Sequence, residues 1–187
     1  MTTGAIIISI LFILCLTVSV VPRSIGLVKA DDKPSQKIWI PVIFGFSQGI
    51  MAVAGHSLGR LTAHLYTYIA EYMVFVMMLV IALKLFLDSM KVLKGKMLYT
   101  VSTEWDFVLL SILAAMNTLI MTLVGSYFLP FGWWFFVAVA AAGFLWSFFT
   151  VRIEFNPGVL KKVSFIEFSA AVFMVVIAIL YLFTDLI

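Results

Sequence analysis

The chain has 187 residues, of which 64% are hydrophobic and 11% are charged, and its mean hydropathy is +1.19. A soluble domain is nearer half apolar and a quarter charged, so this composition excludes an ordinary soluble protein and indicates a polytopic membrane protein in contact with the lipid bilayer. The formal net charge of +3 is small, which argues against a nucleic-acid partner, and the single cysteine, Cys15, excludes an intrachain disulfide.

Six segments are apolar enough and long enough to cross a bilayer, which takes about 20 residues in helical form. In chain order they cover residues 4–21, 38–59, 69–88, 107–128, 131–151 and 165–184. The loops between them are short and leave no room for a soluble domain. The sequence therefore predicts an all-α membrane protein with six transmembrane helices, which form a single domain over residues 1–187.

The distribution of basic residues predicts the orientation of these spans. The odd-numbered loops and their flanking span ends hold eleven of the twelve Lys and Arg residues: Arg23, Lys29, Lys33, Lys37, Lys84, Lys91, Lys94, Lys96, Arg152, Lys161 and Lys162. The second loop holds Arg60. Because cytoplasmic loops carry the excess of basic residues, we expect the odd loops to be cytoplasmic and both termini to be non-cytoplasmic, in a plasma membrane or bacterial inner membrane.

Two apolar segments are similar at a fixed offset of 96 residues. "EYMVFVMMLVIAL" at 71–83 aligns without a gap with "EFSAAVFMVVIAI" at 167–179, and the leading glutamates coincide. Chance similarity between apolar helices is one explanation, and an internal duplication is the other. A duplication would make residues 1–95 and 104–187 two repeats of three spans. Since three is an odd number, the repeats would be inverted in the membrane, as in many secondary transporters.

The first two spans contain neutral polar residues and glycines. Thr17 and Ser19 lie in the first span, and Ser47 and Gln48 in the second. Ser and Thr often bond to their own helix or join neighbouring helices, whereas a carboxamide cannot be fully satisfied within its own helix. Four glycines at near-helical spacing predict close packing of the second span, with the fifth span as its partner: Gly45, Gly49, Gly55 and Gly59.

The third and fourth spans add charged and amide groups. Lys84 and Asp88 are interpreted as an i,i+4 pair whose lysine extends to the cytoplasmic surface. Asn117, followed by Thr118, is either a structural clamp between helices or part of a site, because an unbonded amide in hydrocarbon is costly. His56, near the outer end of the second span, is either an interfacial residue or a ligand. All nine acidic residues are assigned to loops or span ends, so no carboxylate is expected inside the hydrocarbon.

Four stretches of the chain carry a family resemblance: "SIG" at 24–26, "FGFSQGIMAVAGHSLGRL" at 44–61, "FVMMLVIALKLFLDSMK" at 75–91 and "AAMNTLIMTLVG" at 114–125. They resemble the MntP-type manganese exporters, small six-span proteins of the LysE-like transporter group. The resemblance implies a six-helix fold and an efflux function. It also places a basic and an acidic position of the family at Lys84 and Asp88.

The acidic positions of that family are neutral in this chain. The second-span glutamate of the family corresponds to Gln48, the fourth-span aspartate to Asn117, and the first-span aspartate to Thr17 or Ser19, beyond which Pro22 interrupts the helix. Mn²⁺ favours carboxylate, carbonyl and water ligands, and neutral oxygens do not offset its desolvation as an anion does. Metal binding by this chain is therefore left open.

Two functions of different classes follow from these observations. The first is a transporter of a cation, such as a metal ion, or of a small solute through a neutral polar pathway: Thr17, Ser19, Gln48, Asn117 and Thr118. The second is a non-transporting accessory or structural subunit of a complex with membrane-protein partners. An enzyme is not expected, and neither is a cofactor, because the sequence lacks paired catalytic carboxylates, a Ser/His/Asp arrangement, a phosphate-binding glycine loop and a Cys/His cluster.

Overall fold

The described chain consists of helices joined by turns. The computed structural model describes residues 3–25, 27, 36–63, 70–95, 104–127, 131–153 and 157–183. The helices in these ranges are α1 (Thr3–Thr17), α2 (Val20–Ser24), α3 (Gln36–Ala63), α4 (Ala70–Leu93), α5 (Glu104–Gly125), α6 (Trp133–Thr150) and α7 (Pro157–Phe183). The all-helical prediction is confirmed for these residues, and each predicted span coincides with a helix, the first being divided between α1 and α2. The loop residues Lys29, Lys33, His64 and Lys96 lie outside the described part of the chain.

The length and composition of the helices fit a membrane protein. Within the described residues, four helices are long and apolar enough to cross a membrane, over Ile38–Thr62, Trp105–Gly125, Trp133–Thr150 and Gly158–Leu180. The first span contributes a shorter apolar stretch, and the second half of α4 carries Lys84, Asp88 and Lys91. The outer surface is rich in large apolar side chains; Trp105 and Trp133, for example, are 76% and 78% exposed. Such a surface is suited to lipid.

The first span is broken by a turn at Val18 and Ser19. Pro22 lies four residues after Val18, and a proline ring clashes with the carbonyl of the residue four positions before it and cannot donate a hydrogen bond to it. The α-helix therefore stops one turn ahead of the proline rather than at it. The Val18 carbonyl oxygen instead accepts a hydrogen bond from the backbone N–H three residues later, that of Val21, at 3.0 Å.

The glycines of α3 let two helices approach its backbone. Gly45 and Gly49 lie against α6, where added Cβ atoms would come within 2.9 Å of the Ala140 carbonyl oxygen and 3.1 Å of the Ala140 Cβ atom. Gly55 and Gly59 lie against α5 and the turn that follows it, where added Cβ atoms would overlap hydroxyl and carbonyl oxygens. The fifth span, α6, therefore packs against one glycine pair of α3, as predicted. The fourth span, α5, packs against the other pair.

α4 and α7 pack against each other in opposite directions. The hydroxyls of Ser89 and Ser164 are 3.0 Å apart, and each also donates to the carbonyl oxygen of the other residue, at 2.9 and 3.0 Å. On the next turn, the ring centroids of Phe86 and Phe168 are 6.0 Å apart. The contacting residue in α4 has a lower number, Phe86 instead of Ser89, where the contacting residue in α7 has a higher one, Phe168 instead of Ser164. The two helices are therefore antiparallel.

α7 begins at Pro157, earlier than the predicted start near residue 165. Proline is well suited to the first position of a helix because its missing N–H would have no partner there. Lys161 and Lys162 are exposed on the following turn, so this polar stretch is helical too. Glu167 consequently lies more than two turns inside the helix, and not at the end of a span.

Candidate functional site: a polar cluster at the break in the first span

The break in the first span brings Ser19 against α5. Its hydroxyl donates to the carbonyl oxygen of Ala114 at 3.1 Å, which ties the turn to the middle of that helix. The Thr17 hydroxyl instead donates within its own helix, to the carbonyl oxygen of Ile13 at 2.9 Å. Both side chains are fully buried. Of the two pathway residues predicted in the first span, Ser19 is therefore the one that reaches another helix.

Gln48 and Thr118 join α3 to α5. The Thr118 hydroxyl donates to Oε1 of Gln48 and also lies 3.4 Å from the carbonyl oxygen of Leu16 in α1. Both side chains are fully buried. Within the described part of the chain, Nε2 of Gln48 has no hydrogen-bond partner. The contact thus leaves amide donors unsatisfied where three helices meet.

Asn117 is held by Lys84 from α4. The Lys84 ammonium donates to Oδ1 of Asn117, so the predicted extension of this lysine to the cytoplasmic surface beside Asp88 is wrong. Because an ammonium group only donates, the contact orients the amide with its oxygen towards Lys84. Nδ2 of Asn117, whose side chain is 3% exposed, has no partner among the residues that the structure describes. Asn117 therefore offers donors, and not its oxygen, to anything that enters the cluster.

Arg23 lies inside the bundle, although the sequence assigned it to the first loop. The first span continues as α2 to Ser24, and this places Arg23 on a helix with 7% of its surface exposed. Its Nη1 donates to the carbonyl oxygen of Ser19 at 2.7 Å, and its Nη2 lies 3.8 Å from Oδ2 of Asp88. Asp88 is buried as well, and its Oδ1 lies 3.4 Å from the exposed Lys91 ammonium. The charge of Arg23 is thus paired within the protein.

Glu167 is fully buried on α7, so the expectation that no carboxylate lies inside a span is wrong. In the described chain neither of its carboxyl oxygens has a hydrogen-bond partner. α7 packs against α4, which carries Asp88, and contacts α2, which carries Arg23. Pro157 is the sequence signal that could have revealed this position, because a proline at a helix start extends α7 well ahead of Glu167.

Four ionisable side chains from α2, α4 and α7 lie around the break: Arg23, Lys84, Asp88 and Glu167. Two of them carry positive charge, so the cluster has no surplus of negative charge to attract a divalent cation. In the described ranges, no three His, Cys, Asp or Glu side chains are placed to hold a metal ion. The unsatisfied nitrogens include Nε of Arg23 and the two amide groups. The cluster therefore presents hydrogen-bond donors that suit a ligand with acceptor atoms.

His56 lies about two turns beyond Gln48 on α3, away from the cluster. Its ring packs against Phe131 and Phe136, with centroid separations of 5.5 and 5.4 Å. These aromatic contacts support a packing role for His56 near the end of its helix. They do not bring it to the charged residues around the break.

A comparison with known families identifies the wider group. The Mntp family model, described as "Putative manganese efflux pump", matches residues 32–154, which include α3 to α6 with Gln48, Lys84 and Asn117. Arg23 and Glu167 lie outside the matched range. No curated protein and no solved structure matches the chain. The match covers well over half of the chain, and the chain therefore belongs to the Mntp family.

Proposed function

We propose that this chain is an efflux transporter that moves a small solute through a polar pathway at the break in the first span. The observation that carries the proposal is the pair of buried amides, Gln48 and Asn117, whose nitrogens lack partners in the described chain. An unsatisfied buried donor costs about 1–3 kcal/mol, and a ligand that accepts from it removes this cost. The proposed pathway is lined by Thr17, Ser19, Gln48, Asn117 and Thr118.

The proposal includes two inverted halves, residues 1–95 and 104–187. Exchanging the halves would replace the first span by α5, α3 by α6 and α4 by α7. Under this exchange, the contact between α3 and α5 has its counterpart in the contact between α6 and the first span. The α3–α6 and α4–α7 contacts are their own counterparts. All of these helix pairs are in contact. This symmetry of contacts supports the repeat. Rocking of one half against the other would then open the pathway to each side of the membrane in turn.

Bare Mn²⁺ fits this site less well than a solute with acceptor atoms. The positions that the family resemblance equates with acids hold amides, and the Asn117 oxygen already accepts from the Lys84 ammonium. A divalent cation would have to displace this ammonium and would gain no carboxylate in exchange. We therefore propose that the cargo carries hydrogen-bond acceptors, as small polar or anionic solutes do.

The experiment compares the metal and metabolite contents of cells with and without the chain by mass spectrometry. We expect wild type to lower the cellular content of one class of small solute and to leave manganese unchanged. The double variant Gln48→Ala/Asn117→Ala should lose this effect, whereas Ser57→Ala, at an exposed position on α3, should keep it. A fall in manganese that depends on both amides would show instead that the neutral site carries the metal.

The second candidate function is a non-transporting accessory subunit of a membrane protein complex. It is favoured by the internal pairing of the cluster, since Arg23 pairs with Asp88 and Lys84 donates to Asn117 within the protein. Purification in a mild detergent followed by native mass spectrometry tests it. A partner present at a fixed ratio, together with unchanged solute contents in the cells, would favour the accessory function over transport.

A further inference from the structure

The buried carboxyl group of Glu167 has no part in the proposed solute pathway. Three elements pack against α7, and they carry the ionisable groups Cys15 on α1, Arg23 on α2, and Lys84, Asp88 and Lys91 on α4. Of the three cations, Arg23 pairs with Asp88 at 3.8 Å, the Lys84 ammonium donates to Asn117, and Lys91 is exposed. Glu167 is left without a hydrogen-bond partner in the described chain.

The arrangement fits the protonated form of Glu167. An ionised carboxylate with no partner is strongly disfavoured inside a membrane-embedded bundle, whereas a neutral carboxylic acid is tolerated there. When the proton leaves, the new negative charge competes with Asp88 for the Arg23 guanidinium. Arg23 has unused capacity for this, because its Nε has no partner among the described residues.

The position of Arg23 allows such an exchange. It is carried by α2, a helix of five residues that follows the turn at Val18 and Ser19. A short segment next to a break can tilt without unwinding a long helix. The same segment is linked to the proposed pathway, because the Ser19 carbonyl accepts from Arg23 and the Ser19 hydroxyl donates to Ala114.

We propose that Glu167 is a proton-binding site that couples transport to proton binding and release. Its protonation state determines whether Arg23 pairs with Asp88 or with Glu167. With the proton bound, Arg23 pairs with Asp88; after the proton leaves for water, Arg23 pairs with Glu167 and α2 moves towards α7. The step breaks the carboxyl O–H bond, releases one proton and needs no other reactant. The link to transport rests on the function proposed above, whereas proton binding and the change of partner do not.

The protein contains its own reporter of this movement. Cys15, the single cysteine, is buried on α1, and its Sγ lies 3.9 Å from the carbonyl oxygen of Ala170, one turn beyond Glu167 on α7. Its alkylation by N-ethylmaleimide would be measured on the purified full chain over a range of pH. Each rate would be divided by the rate for the unfolded protein at the same pH, because thiol reactivity itself rises with pH.

We expect the normalised rate for wild type to change severalfold between acidic and alkaline pH. Glu167→Gln, which imitates the protonated acid, should keep the acidic rate at every pH. Asp106→Asn, which removes a carboxyl group near the start of α5, should follow wild type. A pH response that persists in Glu167→Gln would overturn the proposal.

Infrared spectroscopy of the same samples detects the proton directly. Wild type should show the C=O stretching band of a protonated carboxyl group at acidic pH and lose it at alkaline pH. In Asp88→Asn, Arg23 has Glu167 as its remaining carboxylate, so the titrating band should persist but should disappear at a lower pH than in wild type. This variant retains Glu167 and keeps the test decisive if Glu167→Gln does not fold. Absence of a titrating band in wild type would refute the proton site. Since neither measurement needs a cargo, these outcomes are independent of the transport assay.

Discussion

The Lys84 ammonium donates to the side-chain oxygen of Asn117 and so connects α4 to α5 in the bundle interior. The charge sits where a cation-binding protein would offer an oxygen ligand. This one contact orients the amide, occupies its acceptor and leaves its nitrogen for a ligand.

The first prediction is a double-mutant cycle on this contact. Lys84→Met keeps the alkyl stem and removes the charge, and Asn117→Ala removes the acceptor. Hydrogen bonds to charged groups contribute about 1.5–3 kcal/mol, and the partial exposure of the lysine lowers this, so we expect a coupling energy of about 1 kcal/mol in thermal unfolding. Strictly additive losses of stability would show that the two side chains do not interact.

The positions of the helices could be predicted from the sequence where hydropathy determines them. The six apolar segments coincide with helices because burial in lipid requires long apolar stretches with internally bonded backbones. The predicted locations of Arg23 and Glu167 were wrong because a charged residue next to a polar stretch is typical of the end of a span. The structure shows that α2 and the first turns of α7 extend the helices past those charges.

The contacts of the cluster could not be predicted for a different reason. The sequence shows that Lys84 and Asp88 are one turn apart on a helix, and such residues can pair. Whether they do depends on competing partners from other helices. Asp88 pairs with Arg23 from α2, and Lys84 donates to Asn117 from α5, so tertiary partners replace the local pair.

The second prediction concerns the contact between α3 and α5. A Cβ atom on Gly55 would overlap the Thr122 hydroxyl and the Leu119 carbonyl oxygen. Gly55→Ala should therefore lower the free energy of unfolding by about 1–3 kcal/mol through overpacking. Ser57→Ala, two residues away on the exposed side of the same helix, should stay within about 0.5 kcal/mol of wild type. Equal melting temperatures for the two variants in detergent would contradict the close packing.

The third prediction tests whether Arg23 has two acceptors. Asp88→Asn and Glu167→Gln should each be tolerated, because one carboxyl group remains for the guanidinium. The double variant leaves a buried, uncompensated cation, which costs about 3–5 kcal/mol. Its loss of stability should exceed the sum of the single losses. The control is Lys91→Gln, whose side chain is 58% exposed, and it should cost no more than about 1 kcal/mol.

The fourth prediction is the orientation of the chain. Arg23 and Lys84 contribute to the cluster and no longer count as loop charges, but Lys94, Arg152 and Lys161 are exposed beside the odd loops, against Arg60 on the opposite side. Both termini should therefore be non-cytoplasmic. Reporter fusions at Ile187 measure this, and a cytoplasmic signal there would also remove the basis for inverted halves.

The last prediction restores the negative charge that the site lacks. Gln48→Glu and Asn117→Asp nearly preserve volume, and Thr17→Asp can be added to them. With Lys84 present, the new aspartate should pair with the ammonium, so Mn²⁺ should shift the melting temperature only weakly. Adding Lys84→Met removes this competitor and leaves unpaired carboxylates, each of which costs about 2.5–3.5 kcal/mol on insertion scales.

Without metal, the variant that also carries Lys84→Met should consequently melt below wild type. Mn²⁺ should then raise its stability by about 2.7 kcal/mol when its concentration is one hundred times the dissociation constant, because ligand binding favours the folded state. Mg²⁺ at the same concentration controls for ionic strength. A strong Mn²⁺ shift in wild type would show that the amides already form a metal site. No shift in any variant would show that these positions do not converge on one ion, and the assignment of Gln48 and Asn117 to a shared pathway would fall with it.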